Sequence, residues 1–161
     1  MKKQLIIGVI ATLLTTSAVA GVKEKKAMRA ADESVAAQLI KVHASCGNDK
    51  LAVAFVWDDY KAMIKANKAT IKKERYKKQW VISQAGERAV ASLEALTKIC
   101  QDDADYKEEI AAVSSIMIKP KAELKDYNSE FNLDDTTINI TFGHMMTRRA
   151  SDFVQPIKEM F

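Results

Sequence analysis

Two apolar series with the same spacing, 54 residues apart, constrain this chain more than any other feature. Met28, Ala31, Val35, Leu39, Val42 and Cys46 recur at steps of 3, 4, 4, 3 and 4. Ile82, Ala85, Ala89, Leu93, Leu96 and Cys100 repeat those steps. Such steps trace one face of an α-helix. Each series ends on a cysteine, and cap chemistry follows each one. After Cys46 comes Gly47-Asn48-Asp49, a C-terminal glycine and then N-cap side chains. After Cys100 comes Gln101-Asp102-Asp103, with Asp105 and Glu108 spaced like a capping box. A duplicated hairpin and convergent packing both fit the echo.

This pattern predicts an all-α fold, an up-down-up-down four-helix bundle stapled by one disulfide. The first and third helices end at Cys46 and Cys100. The second runs from about Asp49, with Leu51, Val53, Phe55, Val56, Tyr60, Met63 and Ile64 as its apolar face. The fourth runs from about Asp103 to Pro120, where the proline ends or kinks it. Few glycines and prolines and abundant alanine and lysine agree with helix. The turn between the second and third helices is placed at Asn67–Thr70, with Ser83 to Gly86 as the alternative. In such a bundle the two cysteine-bearing turns lie at one end, so Cys46 and Cys100 become neighbours. Two buried free thiols are the alternative. A redox-active pair is not expected, because neither cysteine sits in a C-x-x-C motif.

The disulfide needs an oxidising compartment, and the N-terminus supplies a route to one. Lys2 and Lys3 form a basic head, Leu5 to Leu14 an apolar run, and Ala18 and Ala20 the small residues before a cleavage site. Residues 1–20 therefore read as a signal peptide cleaved near Ala20, giving a periplasmic or secreted protein. An uncleaved anchor is the alternative, although the run is short for a span of about 20 residues. No cysteine follows the small residues, which argues against a lipoprotein. Loss of Lys2 and Lys3 lowers the formal net charge from +4 to +2, so overall charge carries no case for nucleic acid. Residues 21–131 are expected to form the bundle and 132–161 a less regular C-terminal segment packed on it. Within the tail, KAELKDYNSEF continues as a short helix and TTINITF (136–142) alternates like a strand. A short terminal helix is expected from about His144 to Val154.

Known catalytic motifs are absent: there is no G-x-S-x-G, H-E-x-x-H or phosphate-cradling glycine loop. Asp58-Asp59 and Asp102-Asp103 are adjacent, and adjacent residues on a helix diverge rather than share a site. Covalent haem needs C-x-x-C-H, which the chain lacks. A noncovalent haem would draw on His43 or His144 and the methionines. Copper(I) would draw on His144, Met145 and Met146, with Met63 and Met160 folding in. No cofactor and no metal is the expectation, and no enzymatic activity.

One segment stands apart. Between Lys61 and Lys78 the chain has eight basic residues and one acid, Glu74. Lys61, Lys65, Lys68, Lys72 and Arg75 recur at helical steps, with Tyr76 and Trp80 beside them. A stripe of that kind suits an anionic surface, or is a solvated face that aids solubility. The expected function is a non-enzymatic exported interaction protein that binds a protein partner of the cell envelope, as an inhibitor, immunity protein or chaperone-like helper. The alternative is a binder of anionic membrane surface or lipopolysaccharide. A small haem- or copper-binding bundle is the second alternative. Nucleic acid is not an expected partner.

Overall fold

A computed structural model describes residues 21–161, and the segment read as a signal peptide lies outside the described residues. The chain runs α1 (Val22–Cys46), β1 (Ala52–Phe55), α2 (Trp57–Ala66), α3 (Lys68–Lys73), α4 (Lys78–Asp102), α5 (Ala104–Ala111), β2 (Ser115–Pro120), β3 (Glu130–Asp134), β4 (Thr137–Phe142) and α6 (Ser151–Lys158). The strands form one mixed sheet in the order β1-β2-β4-β3. β1 pairs parallel to β2 and β2 parallel to β4, while β3 joins β4 as an antiparallel hairpin. Helix α1 packs on β1, α2 on β2 and α6 on β3, and α4 packs against α1 and α6.

The all-α four-helix bundle is therefore overturned, and with it the description of the chain as a helical bundle. Two segments read as helix are strands. In Leu51-Ala-Val-Ala-Phe55 the larger side chains alternate, and alanines between them are equally at home in helix. In Ser115-Ile-Met-Ile-Lys119, Ile116 and Ile118 are fully buried and alternate with half-buried Met117 and exposed Lys119. Paired β1 and β2 align Val53 with Ile116 and Phe55 with Ile118. The partners that favour extended backbone thus lie more than 60 residues away, beyond the reach of local periodicity. The β-like run 136–142 finds its partners in β2 and β3, so it is no lone strand. Two apolar rows cross the sheet: Val53, Ile116, Ile138 and Leu133, then Phe55, Ile118, Ile140 and Phe131. The short helix expected at 121–131 is absent. Pro120 ends β2, a loop anchored by the buried Leu124 follows, and Phe131 belongs to β3. The terminal helix begins at Ser151 rather than His144.

The 54-residue echo has a direct structural meaning. Helices α1 and α4 run parallel, side by side, and the echo is their packing register. A Cβ added to Gly86 would meet the Ala31 Cβ at 2.7 Å, so a missing side chain sets the distance between the axes. Fifteen residues on from Ala31, Cys46 is disulfide-bonded to Cys100, with Cα atoms 5.1 Å apart. Gly47 ends α1 in the left-handed region (φ 67°), where a glycine is free of the Cβ penalty, and its N–H donates to the His43 carbonyl. Asp103 caps α5 by accepting from the Tyr106 N–H. Asn48 ties the same end together, donating from Nδ2 to the Ile110 and Val113 carbonyls.

Candidate functional site

Parallel strands β1, β2 and β4 all end at the opposite edge from the disulfide. In open α/β sheets, the carboxyl ends of the strands and the loops beyond them form the usual binding edge. Three segments meet there: the α2–α3–α4 run, the loop 121–129 and the loop 143–150. Asn67 is the knot between the first two. Its Nδ2 donates to the Met63 and Ala122 carbonyls, and its Oδ1 accepts from the Leu124 N–H. A salt bridge of 2.9 Å from Lys125 to Glu74 reinforces that join. The second and third segments meet at Gly143, where any Cβ would collide with the Tyr127 backbone. Arg148 adds a hydrogen bond from Nη2 to the Tyr127 carbonyl.

The rim of this edge is aromatic and cationic. Trp80 is 43% exposed, Tyr127 42% and Met146 44%. They are three of the five large apolar side chains exposed among the described residues; the other two, Val22 and Ile40, lie on α1. Tyr76 meets Trp80 edge-on at 5.7 Å, and the Lys77 ammonium stands 4.7 Å from the Trp80 ring centroid. Lys65, Lys68, Lys72 and Arg75 are exposed, while Lys61 is half-buried and bonded to Asp58 at 2.8 Å. The basic residues do not share one helix. Lys61 and Lys65 lie on α2, Lys68 and Lys72 on α3, and Asn67 separates the two. Arg75 ends α3 with a left-handed backbone (φ 53°), and the next N–H, of Tyr76, reaches back to the Ile71 carbonyl.

Beneath the rim lies a group the sequence reading did not single out. Arg88 projects from α4 into the interior and is only 3% exposed. Buried arginines are almost always paired, because an uncompensated ion inside a protein is strongly destabilising. Among the described residues Arg88 makes no salt bridge, and its one hydrogen bond runs from Nη2 to the Met146 carbonyl. Burial lowers its pKa from the ordinary value, while the nearby Tyr76 and Tyr60 oppose that shift and Arg148 adds to it. Tyr60, fully buried on α2, has a hydroxyl with no hydrogen-bond partner among the described residues. Burial raises its pKa, so it stays a neutral phenol. The Tyr76 hydroxyl is satisfied by Gln84 Oε1.

His144 completes the cluster. Its Nε2–H donates to the Lys121 carbonyl at 2.9 Å, and its backbone N–H to the Asp126 carbonyl. Burial first, and then Arg88, hold its pKa below the ordinary value, against the opposing pull of that hydrogen bond and of Asp126. A neutral imidazole leaves Arg88 the one deeply buried cation among the described residues. Met160, one of the methionines considered with His144 for copper, lies at the other end of the fold. Met160 follows α6, whose end is fixed to Asp103 by Lys158 at the disulfide end. His43, the other histidine, donates from Nε2 to the Leu51 carbonyl. Among the described residues no group of three His, Cys, Asp or Glu side chains is placed to hold a metal ion.

A shallow groove of about 410 Å³ between α1 and α4 is lined by small residues, Ala27, Ala30, Ala31 and Gly86 among them. It contains no unpartnered buried polar atom among the described residues and follows from the close approach of the two helices. No helix among the described residues is long and apolar enough to cross a membrane. Comparison with protein-family models, with curated proteins and with solved structures finds no match to the chain. The signal for Arg88 was present in the sequence. It sits between Ala85 and Ser92 at steps of 3 and 4, inside the apolar stripe of α4, where a cation is out of place.

Proposed function

We propose that this is an exported, non-enzymatic binding protein that recognises an acidic protein partner of the cell envelope through the rim at the carboxyl edge of its sheet. One observation carries the reading: Trp80, Tyr127 and Met146 stand exposed on three converging segments, flanked by Lys77, Lys78, Arg75, Lys125 and Arg148. Tryptophan, tyrosine, methionine and arginine are the residues enriched where proteins bind one another, and scattered surface apolar groups do not usually share one edge. The cation excess from Lys61 to Lys78 supplies charge complementarity to an acidic surface and speeds encounter with it. Export supports the disulfide, and the absence of known catalytic motifs agrees with binding rather than turnover.

The test compares the mature protein with a Trp80→Ala/Tyr127→Ala/Met146→Ala variant and with a Lys65→Gln/Lys68→Gln/Lys72→Gln/Arg75→Gln variant. A partner is captured from native envelope extract, identified, purified, and its affinity for each form measured. The expected result is a loss of at least ~100-fold in the apolar variant, as when several central anchors are removed. The cation variant should mainly slow association and flatten the salt dependence. Equal affinity for all three forms sinks the reading. Retention on anionic vesicles, lost as salt rises, with no protein partner, would instead favour a membrane-surface binder.

A further inference from the structure

We propose that the carboxyl edge contains a binding site for the carboxylate of a small organic acid, formed by the Arg88 guanidinium and the Tyr60 hydroxyl, with the Met146 carbonyl as the acceptor that the carboxylate displaces. The site is separate from the rim and does not depend on the partner reading above.

Two independent observations converge on it. Arg88 is 97% withdrawn from solvent, yet no carboxylate lies within salt-bridge distance among the described residues. Of its charged neighbours, Arg148 repels it, and Glu87, next to it in the chain and exposed, attracts it without reaching salt-bridge distance. Guanidinium has five N–H donors in a planar fork, and only one hydrogen bond occupies it here. The second observation is the Tyr60 hydroxyl, buried, unpartnered and close enough to Arg88 for the two to influence each other electrostatically. A fork of donors and, within electrostatic reach of it, a neutral O–H donor together suit the two oxygens of a carboxylate.

Charge decides the class of ligand. One guanidinium in a closed site balances one negative charge, so a monoanionic carboxylate fits better than a phosphate dianion. His144 is held neutral and adds no second inner cation. Size is set by the burial of Arg88 and by the loop 143–150 that covers it. That loop is attached to Arg88 by the hydrogen bond to the Met146 carbonyl, and the exposed Met146 side chain marks its outer surface. A carboxylate that replaces this carbonyl exchanges a neutral acceptor for a charged one, which is the stronger partner for guanidinium. The Tyr60 ring belongs to an aromatic cluster, edge-on to Phe55 at 6.3 Å and tilted against Trp57 at 5.4 Å, which gives the hydroxyl an apolar base.

The experiment uses the mature protein and sodium benzoate as probe, with benzamide, sodium chloride and inorganic phosphate as controls, read by thermal unfolding and titration calorimetry. Benzoate is expected to raise Tm in a saturable way, and benzamide and chloride at equal concentration are not. Tyr60→Phe keeps the ring and removes a hydroxyl that has no protein partner. It should fold with an unchanged Tm in buffer and bind benzoate about 5- to 10-fold more weakly, the size of one hydrogen bond. Arg88→Met should lose benzoate binding altogether while keeping or raising its Tm in buffer, because it removes an uncompensated buried ion. An Arg88→Met protein that fails to fold would overturn the proposal if Tyr60→Phe also binds benzoate as tightly as the native chain. Equal responses to benzoate, benzamide and phosphate, or no response to benzoate, would overturn it outright.

Discussion

Gly86 of α4 lies against Ala31 of α1 so closely that a Cβ on the glycine would sit 2.7 Å from the alanine Cβ and 3.1 Å from its Cα. The two long helices pack in parallel along this contact, which lies one helix-half away from the disulfide. Gly86→Ala sets two effects against each other. Helix propensity favours alanine by about 1 kcal/mol, whereas overpacking against backbone costs about 1–3 kcal/mol. The clash with backbone should win, leaving the variant destabilised by up to roughly 2 kcal/mol in urea unfolding. Ala31→Gly in the same chain should restore most of that loss, because it vacates the space the new methyl enters. A stabilised Gly86→Ala protein would show that the helices are not in this register.

The disulfide closes a loop of 54 residues between the ends of α1 and α4. Chain entropy assigns such a closure about 4 kcal/mol. Cys46→Ala/Cys100→Ala should therefore unfold at a lower urea concentration by about that free energy, with an unchanged far-ultraviolet spectrum before the transition. An undiminished midpoint would mean that the cross-link does not restrict the denatured chain as chain entropy requires.

His144 gives stability a pH dependence of defined sign. Its pKa in the fold lies below the ordinary 6.5, chiefly because it is buried. Well above pH 6.5 the imidazole is neutral in both folded and unfolded chains and contributes nothing to the slope. As the pH falls below 6.5 the unfolded chain takes up a proton that the folded chain resists, so stability falls. The slope from this one group is at most about 1.4 kcal/mol per pH unit. The carboxylates of Glu74 and Asp103, held low by hydrogen bonds from Lys125 and Lys158, add a further loss only at more acidic pH. His144→Gln should flatten the profile between about pH 6.5 and 5, which urea titrations at three pH values would show. Parallel profiles for the two proteins would contradict this role.

Asn67 holds the binding edge together through three hydrogen bonds that span α2 and the loop 121–129. Asn67→Ala leaves the Leu124 N–H and the Ala122 carbonyl without that partner and should cost about 1–3 kcal/mol. Amide exchange localises the effect: the Leu124 N–H should exchange faster in the variant, while the Cys46 and Cys100 amides stay protected. Unchanged protection at Leu124 would remove Asn67 from its organising role.

What was legible in the sequence was the part that local spacing determines. The series ending at Cys46 and Cys100 located two of the six helices and the disulfide that joins their ends. The strands were hidden for a physical reason. Alanine at positions 52 and 54 fills the outward face of β1 with a residue that also favours helix. Parallel pairing to β2 is then decided by Ile116 and Ile118, far along the chain. Pro120 was read as ending a helix when it ends a strand, and both positions suit its missing N–H. At the candidate site, the cations from Lys65 to Arg75 and the aromatic Trp80 were visible as exposed chemistry. Tyr127 and Met146 were not, because only the folding of two distant loops carries them to the same edge.

The most direct measurement of where this protein recognises its partner is site-specific photo-crosslinking in cells. A photoreactive phenylalanine analogue is placed at Tyr127, on the rim, and in a second protein at Ile40, which is exposed on α1 away from it. The expected result is a discrete adduct from position 127, lost when Trp80 and Met146 are also changed to alanine, and no such adduct from position 40. The same adducts from both positions, or an adduct from 40 alone, would contradict recognition at the carboxyl edge.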